Sequence, residues 1–136
     1  MSATRGERNN NPGNIRLGSN WLGLAPKQVD GVFCQFTDVK YGIRALAKVL
    51  LQYKAQGRDT VDAIITRWAP DVENNTAAYI AAVASNMGVA PDDILDVAEY
   101  ARMFPLVSAI IRHENGRVIY PRNIIDSGLS AAGVNA

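Results

Sequence analysis

The chain of 136 residues is poor in the side chains from which metal and thiol sites are built: it has one cysteine, Cys34, and one histidine, His113. A single cysteine excludes an intrachain disulfide and a cysteine-based zinc site, and a single histidine excludes a His-rich metal centre. No metal and no cofactor is therefore expected. Nucleophilic Ser or Cys chemistry would have to rely on His113, and Cys34 lies inside the apolar run VFCQF, where a buried structural thiol is the better reading. The scattered glycines form neither a phosphate-cradling loop nor a dinucleotide fingerprint. No apolar run is long enough to cross a bilayer, so membrane insertion is not expected, and the opening MSATRGERNNN lacks the apolar core of a signal peptide. The formal net charge of +1 argues against a dedicated nucleic-acid-binding protein.

What is present has the composition and length of one globular domain, residues 1–136, with nearly half the residues apolar. Basic residues dominate up to Arg67 and acids from Asp71 onward. A basic half suits an anionic polymer such as cell-wall glycan with its teichoic or lipid companions; the solvated faces of helices account for the same charges.

Residues 5–16, RGERNNNPGNIR, read as a tight loop of Asn, Pro and Gly. Two short alternating runs, at Ile15–Leu17 and Val32–Phe36, predict a small β-ribbon. From Asp38 the period changes to ~3.6. Tyr41, Ile43, Ala45, Leu46, Val49, Leu50 and Tyr53 form an apolar stripe, with Thr37 or Asp38 as cap and Gly57 as stop. Thr60 caps a shorter helix that Pro70 ends, and Asn75 or Thr76 caps an alanine-rich one closed by Gly88, which suggests a close helix contact. Asp96 caps a further helix to about Phe104, and Pro105 breaks or restarts it. The tail carries one more short helix with Ile124, Ile125, Leu129 and Ala132 inward. The fold class is mainly α (α+β).

With thiol, metal and phosphate-loop chemistry set aside, carboxylates are left as the reactive groups. Glu114 stands out because the apolar run LVSAIIRHENG brings it to the last turn of a helix, where the negative end of the dipole and neighbouring Ile110 and Ile111 favour its protonated form. Arg112 and Arg117 act in the opposite direction. A neutral carboxylic acid is the group that protonates a leaving sugar oxygen. Three polar loops, the Asn-rich opening, APDVENNT and HENG, supply amides and aromatic faces of the kind that recognise sugars, including Asn11, Asn14, Asn74, Asn75, Trp21, Trp68 and Tyr79. Glu7 ranks below Glu114 because no helix precedes it to hold it.

Four ordered motifs, RGERNNNPGNIR, FCQFTDVKYGIRAL, IITRWAPDVENNTAAYI and AIIRHENG, resemble a family of small phage and prophage proteins. These are often labelled structural or virion proteins and taken to be peptidoglycan-degrading, lysozyme-like enzymes. More distantly, Asn11–Arg16, Phe33–Phe36, Gly42–Ala45 and Thr76–Tyr79 are similar to segments of lysozyme-superfamily glucosaminidases. In those enzymes the helix ending in the catalytic Glu precedes the NPGNIR-like segment, whereas here such a helix lies at the far end. The resemblance thus implies a single lysozyme-like helical domain in a rearranged, permuted order. It implies Glu114 as general acid, Tyr79 and Glu73 in support, and Asn11, Asn14, Asn75, Thr76 and Arg67 holding the sugar. The implied partner is bacterial peptidoglycan, with no nucleic acid, and the protein is expected to be monomeric. Access to the wall is expected through a holin that releases it from the host cytoplasm, or by carriage in the phage particle. A non-catalytic wall-binding or virion structural protein is the alternative.

Overall fold

A computed structural model describes residues 2–72, 74–117 and 120–136. Its elements are the helices α1 (Arg5–Arg8), α2 (Val39–Ala55), α3 (Val61–Trp68), α4 (Thr76–Met87), α5 (Tyr100–Asn115) and α6 (Arg122–Ala131). The protein is mainly helical. Among the described residues no helix is long and apolar enough to cross a membrane.

Three starts follow the capping residues read from sequence. The side chains of Asp38, Thr60 and Asn75 accept from the backbone N–H groups of Lys40, Ala63 and Ala78. Each thereby satisfies a donor that the first turn cannot. The inward stripe of α2 (Ile43, Leu46, Leu50) meets Ile64 and Ile65 of α3, Val83 of α4, Leu106 and Ile110 of α5, and Ile125 and Leu129 of α6 in one core. Burying each such side chain contributes about 1.5–3 kcal/mol before conformational entropy is charged against it.

Two glycines set the closest approaches. A Cβ at Gly42 would lie 2.0 Å from the Asn10 carbonyl oxygen, so glycine alone lets α2 touch the Asn-rich turn. At Gly128 a Cβ would lie 2.4 Å from Ile43 Cγ2, so α6 rests directly on α2 there. The alanines of α4 serve differently from expectation. Ala77, Ala78 and Ala81 face outward, and Tyr79, Val83 and Ala84 make the inward face.

Three further expectations need correction. The opening loop contains a one-turn helix, α1, fixed by a capping box in which Glu7 N–H donates to Thr4 Oγ1 (3.1 Å) and Thr4 N–H to Glu7 Oε1 (3.0 Å). The region around Pro105 is one continuous helix, with Glu99 as N-cap, while Asp96 instead accepts from Ala98 N–H. Pro105 removes one helical bond at a cost of about 3 kcal/mol, which the burial of Met103, Leu106 and Val107 offsets. Finally, the paired segments form only two isolated antiparallel bridges, Arg16 to Phe33 and Leu24 to Phe36. Side-chain amides take the place of a longer ladder: Gln35 N–H donates to Gln28 Oε1 and Val29 N–H to Gln35 Oε1, both at 2.7 Å.

Candidate active site

The Asn-rich turn is built by its own side chains. Asn11 is fully buried; its Nδ2 donates to the carbonyls of Ile15 (3.0 Å) and Cys34 (2.9 Å), and its Oδ1 accepts from Ile15 N–H (3.0 Å). Asn10 and Asn14 both take left-handed backbone, with φ of 52° and 51°. Asn tolerates this region better than most residues because its short side chain bonds locally. The result turns the Asn14 amide away from the turn, and its Nδ2 donates to Glu114 Oε1 at 3.0 Å.

Glu114 reaches this point from the last turn of α5, which Gly116 closes in left-handed backbone at φ 80°. Its other oxygen, Oε2, accepts from the Tyr79 hydroxyl at 2.8 Å. Tyr79 is buried in α4 and stacks on His113 with ring centroids 3.7 Å apart. Burial first, and the Glu114 charge second, push the Tyr79 phenol far above its ordinary value, so it stays a donor. Tyr79, Glu114 and Asn14 thus form a hydrogen-bonded chain across two helices and the opening turn.

This chain lies beside a cleft of about 300 Å³ lined by Asn14, Arg16, Phe33, Arg67, Trp68, Asn74 and Glu114, among others. The Arg5 and Arg16 guanidinium groups lie over the Phe33 ring, 4.6 and 5.5 Å from its centroid. Asn14 Oδ1 is screened from solvent with no hydrogen-bond partner among the described residues, which leaves an acceptor at the cleft wall. Glu114 is the one carboxylate lining the cleft among the described residues.

The site residues named from sequence therefore divide. Glu114, Tyr79, Asn14 and Arg67 come together, with Trp68 and Asn74. Asn11 does not contribute, because its amide is spent on backbone groups and it has no surface to offer. Thr76 is also buried and donates to the Ala69 carbonyl, and Asn75 caps α4 outside the lining. Trp21 lies in another cleft with Arg44 and Lys48. Glu73 lies outside the described residues. Glu7 is occupied elsewhere: its Oε1 accepts from Arg117 at 2.9 Å, and the Thr4 backbone N–H is the main cause of its lowered pKa.

Sequence reasoning passed over Phe33 and Arg16 as lining residues, and also Asn115. Asn115 Nδ2 donates to the carbonyls of Pro12 and Ile111, both at 2.8 Å, and its Oδ1 accepts from Thr4 Oγ1 at 2.6 Å. It clamps the opening turn to the helix that bears Glu114. Its adjacency to Glu114 in HENG was the available signal. Among the described residues no three His, Cys, Asp or Glu side chains gather as a metal site.

No protein-family model matches the sequence. The chain is 38% identical over 131 residues to Protein P5 of Pseudoalteromonas phage PM2, an alignment covering 93% of this chain and 80% of that protein. At that identity and coverage, the chain belongs to the family of phage PM2 Protein P5.

Proposed function

We propose that this protein cleaves the glycan strands of bacterial peptidoglycan, as a phage-type endolysin or a virion-carried lysin, with Glu114 as the general acid. The observation that carries the reading is a helix-end carboxylate whose plane is set by Tyr79 and Asn14 beside an open polar cleft. Each carboxylate oxygen has a second lone-pair position, so the group can carry a proton on its cleft side while the two donors hold it still. Amides and aromatic faces at Asn74, Trp68 and Phe33 suit sugar hydroxyls, N-acetyl groups and ring faces. On this reading the fold is lysozyme-like, with the acid-bearing helix moved to the C-terminal side and the bridged segments at Arg16 and Phe33 standing for its β-ribbon. Kinship with a phage protein is compatible with release at lysis and with carriage in the particle.

Among the described residues Glu114 is the one lining carboxylate, and a reaction in which the substrate supplies the second group needs no other. Protonation by Glu114 breaks the glycosidic bond, and the sugar's own N-acetyl oxygen or hydroxyl then closes on the cationic carbon. In the hydroxyl case the released proton returns to Glu114; in the N-acetyl case water opens the cationic ring so formed and gives its proton to Glu114. The same observation is what supports the second reading, a wall-binding module of the virion without catalysis.

Turbidity loss of purified cell walls tests the proposal. Glu114→Gln keeps shape and removes the transferable proton, so activity should fall at least ~100-fold with the circular dichroism spectrum unchanged. Glu7→Gln should retain activity. Full activity in Glu114→Gln removes the acid assignment, and an inactive wild type that still sediments with walls favours the binding module.

A further inference from the structure

A second cleft, of about 460 Å³, opens on the far side of α5. Its lining includes Tyr100, Phe104, Pro105, Ser108, Arg112 and Arg122. Successive helical residues turn by roughly 100°, so Glu114, two positions beyond Arg112, points away from this face. The cleft is separate from the candidate active site.

Its chemistry is that of an anion site with acceptors of its own. Arg112 and Arg122 are exposed, and among the described residues neither has a carboxylate ion-pair partner. Arg122 lies over the Phe104 ring, 4.6 Å from its centroid, which orients the guanidinium fork. Tyr100 and Arg122, the first residues of α5 and α6, both line the cavity; neither start has a side-chain cap, and the exposed Glu99 stands just before α5. The nearest acid within α6, Asp126, already accepts from the Tyr100 hydroxyl at 2.6 Å. Pro105 has no N–H to give the Ala101 carbonyl, so that helical bond is missing at a residue that lines the cleft. Phe104, Pro105 and Ala109 form an apolar floor.

Two guanidinium groups match two carboxylates, the carbonyl matches an amide N–H, and the floor matches small apolar side chains. A bare phosphate satisfies only the first of these. We propose that this cleft binds a short acidic peptide, its carboxylates on Arg112 and Arg122 and a backbone N–H on the Ala101 carbonyl.

Calorimetric titration of the full chain with acetylated alanyl-glutamyl-alanine, both carboxylates free, tests this. The peptide should bind, its glutaminyl C-terminal amide counterpart should bind at least tenfold more weakly, and Arg112→Ala and Arg122→Ala should each lose at least tenfold. Arg122→Lys, which keeps the charge without the fork, should fall between, and Glu114→Gln should bind as wild type does. Equal binding of the neutral peptide, unchanged affinity in the arginine variants, or no binding at millimolar peptide overturns the proposal. Inorganic phosphate binding as tightly as the peptide, with the same arginine dependence, overturns the peptide assignment in favour of a simple oxyanion site.

Discussion

Asn14 combines an unusual backbone with a functional contact: left-handed φ at 51° and a bond to Glu114. The two contributions separate by substitution. Asn14→Gly accepts the backbone and loses the amide, so its stability should stay within about 1 kcal/mol of wild type. Asn14→Ala loses both and should be less stable than Asn14→Gly by about 1–2 kcal/mol in urea unfolding. Wall-lysis activity should fall by roughly tenfold or more in both, the size of a lost charge-assisted hydrogen bond. An active Asn14→Gly would confine Asn14 to a structural role. At this scale the sequence was only half legible. Asn11 and Asn14 look alike in RGERNNNPGNIR, yet one is wholly consumed by the turn and the other faces the cleft. Backbone sign and side-chain direction separate them, and composition encodes neither. Tyr79 was named for a different reason, the likeness of Thr76–Tyr79 to a glucosaminidase segment; the structure adds that it shares the inward face of α4 with Val83.

Helices were legible where local chemistry decides them. Asp38, Thr60 and Asn75 cap by bonds within three residues, and their positions follow directly from the pattern. The same logic applies to α1, since Thr4 and Glu7 stand at capping-box spacing, but the Asn and Pro residues just beyond obscure it. The continuity of α5 through Pro105 was not legible, because it depends on core contacts of Met103, Leu106 and Val107 from elsewhere in the chain. What joins α1 to α5 is Asn115. Asn115→Ala would remove the side-chain partner of the Pro12 and Ile111 carbonyls and of the Thr4 hydroxyl, and it should destabilise the fold by about 2–3 kcal/mol. Hydrogen exchange should show faster opening of residues 4–14 while the α2 and α6 amides remain protected. Uniform loss of protection across all helices would mean that the clamp supports the whole core instead.

For the molecule as a whole, two carboxylates tie the opening segment down. Asp30 receives two bonds from Arg5 at 2.8 and 2.6 Å, and that guanidinium, followed by the Phe33 N–H, holds its carboxyl far below the usual range. Glu7 is lowered chiefly by the Thr4 N–H, with Arg117 adding its charge. Groups with lowered folded-state pKa values contribute stability that is present above their unfolded values, near ~4, and is lost as pH falls through the folded ones. The urea midpoint should therefore decline between pH ~5 and ~2, and the double variant Asp30→Asn/Glu7→Gln should start lower and decline less. Parallel curves for the two proteins would show that other groups govern acid unfolding. The overall helical class and the position of the acid at a helix end were legible because both arise from periodicity. The meeting of the opening turn with the end of α5 was not, since nothing local signals it. That meeting also has a consequence for synthesis. Asn14 and Glu114 are 100 residues apart, and Thr4 and Asn115 are 111 apart. A nascent chain therefore has no assembled cleft until HENG has left the ribosome, and a polypeptide cut short upstream of HENG never pairs Asn14 with Glu114.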